Sequence, residues 1–581
     1  MTTPRVALVL YAHQPVGNLE EGVQRALREA YLPALAALEA HPKLKSNLYL
    51  SGALLEWFER LEPIALSRLA ALRSRVEFLA GAMYHPLLAQ TPKADVLGQV
   101  KAHTAMLEKF FNASSRGIWI PEFAWETQLP ALLEDTGLEY TILPETIFRD
   151  AGLSEGTLFS LEEAGKSIRV FRALEAKLET VPLITGDTVL LVKLEDLVGH
   201  LKGFSALLEH LEHFETMRLS TMLDASRRNK LVYLPNAKPH HHSNWREVLH
   251  TFTGIGHLQQ RIRYASEKLN AVFRVPEEAF LHLWRSQDSA VFNHIGAHRN
   301  YLRFEAYRHL IRAENILEPR KYGWLDINYR DLDFDGTPDV IAEAHTMNLY
   351  FSASQGGGIL EFDAREVAAN LCDPFSNPLS FTDHFLEPEA TTLENFANGT
   401  YLELGDFVDG LYEIGKYRDR VTLTRLGTVR GPAGAPVAVE IKKAIRLKPK
   451  ENMLEIEYQI HNKGDWDIVM RFGSLWNFAL LAPHSPERQF TVAGQAVSDL
   501  GATLEHRNVL SAGWKDEWLG AELIFDFPRE TTLWTHPVYT ESEGHKQYQS
   551  SVFMPLWDVD VPKRRSRRLE YTIKLNTLRT P

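Results

Sequence analysis

The run Val6-Ala7-Leu8-Val9-Leu10-Tyr11 is followed at once by Ala12-His13-Gln14-Pro15, and Gly117-Ile118-Trp119-Ile120 is followed by Pro121-Glu122. Each run predicts a buried β-strand that ends abruptly at side chains able to form hydrogen bonds. In parallel α/β barrels the catalytic groups lie at the carboxyl ends of the strands. The two runs therefore predict an enzyme-like barrel with a carboxylate, Glu122, at its mouth.

Short apolar strands alternate with amphipathic helices over the first 235 residues or so. A strand at 76–80, for example, precedes a helix at 94–111, and a strand at 189–192 precedes a helix at 195–214. Such alternation is typical of βα units that build a parallel sheet. We therefore assign residues 1–240 to a (β/α) barrel.

The pattern changes twice after the barrel. Residues 246–317 carry helical periodicity with few breakers, which predicts a helical bundle over residues 241–320. Beyond about Leu325 the chain consists of short runs in which apolar and polar residues alternate, separated by Gly and Asp. Such runs are typical of an antiparallel β-sandwich, which we assign to residues 321–581.

The composition restricts the possible partners. Lys and Arg total 63 against 75 for Asp and Glu, and the net charge of -12 is spread along the 581 residues. This charge disfavours nucleic acid and other polyanions as partners. No apolar run approaches the roughly 20 residues of a membrane-spanning helix. We predict no membrane partner, and the oligomeric state stays open.

The compartment is inferred from two features of the sequence. Cys372 is the only cysteine, so no intrachain disulfide can form, which is compatible with a reducing compartment. The apolar run before His13 is too short and ends too soon for a signal peptide. We expect a soluble, cytoplasmic protein.

Two constellations invite a metal interpretation. Three consecutive histidines, His240-His241-His242, rarely converge on one ion, and we predict a polar loop at the barrel rim. The run Asp333-Phe334-Asp335-Gly336 with Asp339 faintly resembles a calcium loop but lacks the terminal bidentate Glu. A tight turn with Gly336 at positive φ explains it more simply. We predict neither a metal nor a cofactor.

Several segments together resemble glycoside hydrolase family 57, especially its 4-α-glucanotransferase and α-amylase-like branch. The resemblance covers nearly the whole chain. It implies an incomplete (β/α)7-type barrel with a helical bundle, an all-β C-terminal sandwich, and an α-1,4-glucan or maltooligosaccharide as substrate. The segments that carry it are His13-Gln14-Pro15, residues 81–89, residues 117–125, Ser51-Gly52-Ala53-Leu54-Leu55-Glu56-Trp57, Leu231-Val232-Tyr233-Leu234-Pro235, Asp383-His384-Phe385 and Glu403-Leu404-Gly405-Asp406-Phe407.

The resemblance assigns roles to residues at the predicted barrel mouth. Enzymes of this kind are similar to retaining glycosidases, in which one carboxylate attacks the anomeric carbon and a second protonates the leaving oxygen. By this matching Glu122 is the nucleophile. His13 and Gln14 would contact the sugar, and Trp119 and Trp125 would shape its pocket.

The family's acid/base Asp is not found at its expected place. If Gly199 anchors the match of residues 191–199, then Lys193 or Leu194 stands where the acid should be. Leucine has no proton to give. A lysine beside a glutamate keeps a pKa near 10, which suits leaving-group protonation poorly at neutral pH.

Three nearby carboxylates could substitute. Asp187 precedes the strand and should lie on the wrong barrel face. Glu195 and Asp196 follow the strand, although acids in a first helical turn also have a structural explanation in the helix dipole. We take Glu195 as the tentative acid/base, since only one residue separates it from Lys193, and Asp196 as the alternative.

Two further positions depart from the family pattern. His85 stands where the family tends to place Glu before Pro. The segment 286–292 resembles a late substrate-binding segment that retains Asp288 but not the aromatic residue and His after it. We keep His85 and Asp288 as candidate substrate-binding residues.

Three hypotheses follow. The first is a retaining α-glucan hydrolase or 4-α-glucanotransferase, and the second is a non-catalytic α-glucan-binding or regulatory protein with the same architecture. The third, a metal hydrolase similar to polysaccharide deacetylases, would require paired Asp and spaced His ligands that the sequence lacks.

Overall fold

The computed structural model describes residues 4–180, 182, 184, 186–226, 229–239, 242–250, 252–293, 298–318, 322–373, 375, 379–542 and 544–578. The chain forms two compact units, Met1–Leu249 with Leu283–Asn293, and His250–His282 with His294–Pro581. The three-region division into residues 1–240, 241–320 and 321–581 stays a prediction. In the described part of the chain, no helix has both the length and the apolarity needed to cross a membrane.

The strands of the first unit join into one ten-stranded sheet within the described residues. They are β1 (Arg5–Ala12), β2 (Ser46–Leu50), β3 (Val76–Phe78), β4 (Gly117–Ile118), β5 (Tyr140–Pro144), β6 (Leu158–Glu163), β7 (Lys166–Glu175), β8 (Thr188–Lys193), β9 (Glu215–Thr216) and β10 (Lys230–Leu231).

Seven of these strands follow one another around a ring, in the order β1, β2, β3, β4, β5, β7 and β8, and β8 pairs with β1 again. Every pairing in the ring is parallel. The step from β3 to β4 consists of one bridge, Ala80 to Ile118. The predicted (β/α)7-type barrel is therefore confirmed. Outside the ring, β6 pairs with β7, β9 with β1, and β10 with β6.

Both faces of the barrel strands are buried, which explains why their sequences are continuously apolar rather than alternating. In β1, Val6, Leu8 and Leu10 pack into the core shared with the helices. The intervening Ala7 and Val9 pack into a second core with Tyr49, Trp119 and Leu191 from other barrel strands.

The helices of the first unit connect successive strands. They are α1 (Glu20–Ala26), α2 (Leu32–Ala40), α3 (Gly52–Leu61), α4 (Pro63–Ala71), α5 (Lys93–Phe111), α6 (Leu129–Glu134), α7 (Glu145–Asp150), α8 (Leu201–Leu211), α9 (Leu219–Ala225) and α10 (Trp245–Leu249).

One helix differs from the sequence prediction. The predicted helix over 195–214 is divided into a 3₁₀ turn, Leu194–Leu197, and α8, because Gly199 adopts φ +80° and interrupts the right-handed backbone. Between α1 and α2 the chain forms a π-helical turn, Leu27–Tyr31. That turn positions Tyr31, which contributes to the site described below.

The second unit contains helices and antiparallel sheets. Its helices include α11 (Thr253–Ala271), α13 (Asn300–Leu317) and α14 (Leu393–Ala397), and α12 (Glu277–Ser286) carries residues of both units. Arg261 of α11 donates a hydrogen bond to Glu314 of α13 at 2.9 Å, so these two long helices are paired through buried charges.

The strands of the second unit form a five-stranded and a twelve-stranded sheet among the described residues, and all their pairings are antiparallel. This confirms the predicted all-β C-terminal region. The strands are β11 (Leu325–Arg330), β12 (Asp339–Ala344), β13 (Met347–Ser352), β14 (Gly358–Ala364), β15 (Ala369–Asn370), β16 (Thr382–Leu386), β17 (Glu413–Lys416), β18 (Arg420–Arg430), β19 (Pro436–Lys448), β20 (Met453–Asn462), β21 (Ile468–Phe478), β22 (Arg488–Val492), β23 (Gln495–Asp499), β24 (Leu504–Asp516), β25 (Ala521–Ser542), β26 (His545–Val561) and β27 (Ser566–Thr577).

Candidate active site

The candidate residues of the barrel follow the carboxyl ends of its strands, where a parallel barrel collects functional side chains. Lys193 ends β8 and pairs in register with Tyr11 of β1. The others lie in the segments after the strands: His13 and Gln14 after β1, Ser51 after β2, His85 after β3, Glu122 after β4, and Glu195 and Asp196 after β8.

Glu122 adopts an unusual backbone conformation. Its φ and ψ are 54° and 14°, and Phe123 also has a positive φ of 46°. Left-handed conformations in non-glycine residues are strained and occur preferentially at functional sites. The hydroxyl of Ser289 donates a hydrogen bond to Oε1 of Glu122 at 3.2 Å and lies 3.2 Å from Nδ1 of His85. The carboxylate is therefore oriented by a fixed partner.

His13 connects several of the predicted residues. Its backbone N–H donates to Oε1 of Glu195 at 3.0 Å, and its Nδ1 lies 3.0 Å from the hydroxyl of Ser51. Its ring stacks on the ring of His85, with centroids 3.9 Å apart and an angle of 12° between planes. Its Nε2 lies 3.4 Å from Oδ1 of Asp288. The structure thus brings His13, His85, Asp288 and Glu195 together.

His85 is buried, at 5% exposure, and also has a positive φ of 56°. Burial lowers the pKa of its imidazole well below the ordinary value, and electrostatic interactions with His13, Lys193 and His103 lower it further. His85 is therefore neutral at pH 7. A neutral imidazole replaces the carboxylate that the family resemblance implies at this position.

Asp288 links two loops of the first unit. Its carboxylate is 1% exposed and accepts the backbone N–H of Val16 at 2.7 Å and that of Ala290 at 2.9 Å. It therefore ties the segment after β1 to the 3₁₀ turn Ser289–Val291, whose Ser289 contacts Glu122. These bonds hold both loops in place.

Glu195 is enclosed by hydrogen bonds. Its Oε1 accepts the hydroxyl of Tyr31 at 2.5 Å as well as the amide of His13, and Gln14 donates to the same tyrosine oxygen at 2.6 Å. Its Oε2 is buried and has no hydrogen-bond partner among the described residues. Burial raises the pKa of Glu195, although the bond from Tyr31 and the charge of Lys193 oppose that shift.

Asp196, in contrast, lines an open cavity of about 700 Å³ together with Tyr11 and Lys193. Burial raises the pKa of Tyr11, and negative charges add to the shift. The phenol therefore stays protonated and lies in the field of several acids. In order of effect these acids are Glu175, Asp196, Glu195 and Glu122.

The two tryptophans have different surroundings. Trp119 stacks on Tyr49 at 5.0 Å and contacts Tyr11 at 4.6 Å, so it lies next to a residue that lines the cavity. Trp125 donates its indole N–H to the carbonyl of Leu234 at 3.4 Å and packs in a separate core cluster with Leu129. The roles assigned to both rings stay predictions.

Sequence reasoning missed three residues that complete this arrangement. Ser289 directly follows Asp288, so the retained motif offered a signal for it. Tyr11 was visible only as the last residue of an apolar strand. Tyr31 lies inside a helical pattern and gave no local signal, because only the tertiary structure brings it to Glu195.

Of the residues considered for a metal, His240 and His241 lie outside the described part of the chain. Of the carboxylate groups close enough to hold an ion, Asp331, Asp333 and Asp339 belong to the turn whose Gly336 adopts the predicted positive φ of 86°. Those carboxylates accept backbone amides of the same turn. The other group, around Glu314, is paired with Lys268.

Comparison with protein families gives two matches. The family model described as Glycosyl hydrolase family 57 matches residues 7–233. A second model, described as Alpha-amylase/4-alpha-glucanotransferase, C-terminal, matches residues 331–376 and 377–571. The two matched regions lie in different units of the chain.

Individual proteins agree with these matches. The chain is 25% identical to alpha-amylase 1 of Dictyoglomus thermophilum, over 96% of this chain and 97% of that protein. It is 26% identical to the 4-alpha-glucanotransferase of Thermococcus kodakarensis, over 84% and 89%. The crystal structure of the 4-alpha-glucanotransferase from Thermococcus litoralis superposes with a TM-score of 0.85 over both full chains at 21% identity, which shows a shared fold.

Proposed function

This chain belongs to glycoside hydrolase family 57 through residues 7–233, and we propose on that premise that it cleaves or transfers α-1,4-glucan chains by a retaining mechanism with Glu122 as nucleophile. The observation that carries the proposal is the left-handed backbone of Glu122 at the end of β4, with the hydroxyl of Ser289 on its carboxylate. Strain of about 1–3 kcal/mol per residue persists where a function requires it. Relatives named alpha-amylase and 4-alpha-glucanotransferase support the substrate class.

In the first step Glu122 attacks the anomeric carbon, and the bond from that carbon to the leaving glycosidic oxygen breaks. An acid gives its proton to that oxygen, so the shortened glucan leaves as an alcohol. In the second step the same group, now a base, takes a proton from water or from a sugar hydroxyl. The activated oxygen then attacks the anomeric carbon and frees Glu122.

We assign the acid/base role to Asp196 and a positioning role to Glu195. The side chain of Asp196 lines the cavity beside Tyr11, where a glycosidic oxygen can approach it. The Glu195 carboxylate is engaged by Tyr31 and the His13 amide, and its second oxygen is shielded. Glu195 thereby fixes the segment that carries His13 and Gln14.

The remaining residues would hold the sugar. His13 is fixed through both its backbone and its ring, so it can present one geometry to a hydroxyl group. Gln14 is held by Tyr31 and accepts a bond from Asn18 at 2.7 Å. The protonated phenol of Tyr11 can donate to an oxygen that gains negative charge in the transition state.

A second candidate function is non-catalytic α-glucan binding. The observation that favours it is Lys193, a cation at the end of β8, whose charge acts on both Glu195 and His85. A lysine there cannot supply the proton that the leaving oxygen needs at neutral pH. If Asp196 does not reach the substrate, the fold keeps a nucleophile without an acid.

Two substrates distinguish these functions. α-Maltosyl fluoride has a leaving group that needs little protonation, whereas maltoheptaose needs an acid. We would assay the wild type, Glu122→Gln, Asp196→Asn and Glu195→Gln on both. Asp187→Asn is the matched control, since Asp187 pairs with Arg5 at the amino ends of β1 and β8.

For a catalyst we expect Glu122→Gln to lose both activities. Asp196→Asn should lose activity on maltoheptaose by roughly 10²–10⁴-fold, because general acid catalysis is of that size. It should keep the first-turnover burst of fluoride, which leaves before the base is needed. Equal fluoride release by the wild type and Glu122→Gln would refute Glu122 as nucleophile. Binding of maltoheptaose without turnover of either substrate would establish the second candidate.

A further inference from the structure

The C-terminal β region contains a cavity of about 670 Å³ that the barrel chemistry does not use. Its walls come from strands β16, β21 and β25 and from helix α14, and all its lining residues belong to the second unit. Ligand cavities in proteins range over about 300–1,000 Å³. The volume therefore suits a small organic ligand of several rings rather than a single ion or water molecule.

Two buried histidines line this cavity and share an unusual feature. His384 is 2% exposed and its Nδ1–H donates to the carboxylate of Glu403 at 2.9 Å. His536 is 8% exposed and its Nδ1 lies 3.3 Å from the carbonyl of Pro537. Both bonds place a hydrogen on Nδ1, which leaves each Nε2 available to a ligand. Both Nε2 atoms are buried without a hydrogen-bond partner in the described part of the chain.

A buried acceptor without a partner costs free energy that a ligand could recover. Burial also lowers the pKa of His536, so this ring is neutral and accepts rather than repels a donor. The two imidazole rings thus favour a ligand that carries hydroxyl groups, which can both donate and accept hydrogen bonds.

Aromatic rings pack around the same cavity. Phe396 of α14 contacts Tyr401 at 4.6 Å, His384 at 5.3 Å and His536 at 6.0 Å between ring centroids. Phe396, Tyr401 and the partly exposed Tyr539 all belong to the cavity wall. Such rings supply flat apolar surface of the kind that covers the C–H face of a pyranose.

The cavity rim is polar and carries both signs of charge. Asn398, Asp409 and Lys546 are exposed there, and the ammonium group of Lys546 lies 4.4 Å from the ring of Tyr539. Asp409 and Lys546 contribute opposite charges, so the rim favours neither anions nor cations. Amide, carboxylate and ammonium groups can all bond to hydroxyls.

We propose that this cavity is a second carbohydrate-binding site, which holds a neutral oligosaccharide between aromatic walls and the imidazole rings of His384 and His536. The ligand class follows from the lining, whereas the choice of an α-glucan as first probe rests on the proposed function of the barrel. The site shares no lining residue with the barrel mouth.

The test uses calorimetric titration of the full-length chain with maltotetraose, and with cellotetraose in a second arm. His536→Leu removes one acceptor and Tyr539→Ala removes one wall ring at a partly exposed position. The matched control is His506→Leu, since His506 lies on the neighbouring strand β24, also has a buried, unpartnered Nε2, and does not line the cavity. Glu122→Gln is included to measure the activity of the barrel separately.

We expect His536→Leu and Tyr539→Ala each to weaken one class of sites roughly tenfold, the equivalent of one lost hydrogen bond or ring contact. Fluoride release from α-maltosyl fluoride and the His506→Leu titration should match the wild type. Binding of cellotetraose alone would keep the site and remove its link to α-glucans. Identical isotherms for the wild type, His536→Leu and Tyr539→Ala, with either sugar, would overturn the proposal.

The two proposals can fail separately. If the barrel has no activity, the titration still detects the sites that His536→Leu and Tyr539→Ala weaken. If the second site does not exist, the effect of Glu122→Gln on fluoride release is unchanged.

Discussion

Tyr31→Phe tests the arrangement around Glu195 most directly, because it removes one oxygen atom and two hydrogen bonds. The lost bond to the Glu195 carboxylate has a charged acceptor, for which the expected cost is about 1.5–3 kcal/mol. The bond from Gln14 adds about 1 kcal/mol, since its amide then lacks that acceptor. We expect Tyr31→Phe to lower the free energy of unfolding by about 2.5–4 kcal/mol at neutral pH.

The cost should depend on pH in a defined direction. Burial raises the pKa of Glu195 in the folded state, so the folded carboxyl keeps its proton when the unfolded one, with a pKa of about 4.3, releases it. This group therefore lowers stability as the pH rises above about 4.3. The Tyr31 hydroxyl opposes the shift, and its removal should raise the pKa of Glu195 further. The effect of Tyr31→Phe should thus be smallest below pH 4 and largest near pH 7.

The assay is differential scanning calorimetry at pH 4 and pH 7. The thermal midpoint of a domain of 150–250 residues shifts by roughly 2–4 °C per kcal/mol, so the midpoint of the affected transition should fall by on the order of 10 °C at pH 7. Tyr49→Phe is the matched control, because Tyr49 is also a buried barrel tyrosine but its hydroxyl has no partner among the described residues. Removing that hydroxyl should have little effect.

A double-mutant cycle with Glu195→Gln isolates the pairwise interaction. We expect a coupling of at least about 1 kcal/mol between positions 31 and 195 at pH 7. Equal shifts for Tyr31→Phe and Tyr49→Phe, or a Tyr31→Phe effect that grows as the pH falls, would refute the reasoning.

Three further outcomes are expected. Ser289→Ala should lower kcat/KM for α-maltosyl fluoride by roughly 10–150-fold, because it removes a hydrogen bond to the Glu122 carboxylate. Ser289→Thr keeps a hydroxyl and should retain most activity. Equal rates for both variants would contradict the role of the hydroxyl. His103 is fully buried, and burial lowers its pKa to about 4. Between pH 6.5 and pH 4 only the unfolded state gains a proton at this residue, so the free energy of unfolding should fall by about 3 kcal/mol over that range. Urea unfolding should show this pH dependence in the wild type and not in His103→Gln. Gly52→Ala should destabilise by about 1–3 kcal/mol, since a Cβ at Gly52 would lie 2.6 Å from the backbone oxygen of Met83, and an unchanged thermal midpoint would disprove this contact.

The barrel strands were predictable because each one is buried on both faces, which leaves a continuous apolar run in the sequence. The strand predicted at 189–192 is one residue shorter at each end than β8, Thr188–Lys193. The helix predicted over 195–214 was too long, because the pattern of apolar residues continues through Gly199 although its backbone does not. Periodicity reports which side chains are buried, not where a backbone turn interrupts them.

The sequence by itself determined the barrel class, the antiparallel C-terminal region and the position of Glu122 at a strand end, since each depends on local periodicity or on a contiguous motif. Only the tertiary structure decided how the carboxylates differ. Tyr31 encloses Glu195, and Ser289 orients Glu122, across 164 and 167 residues of chain. Hydrogen bonds between residues so distant in sequence depend on how the barrel closes, and no local pattern records them.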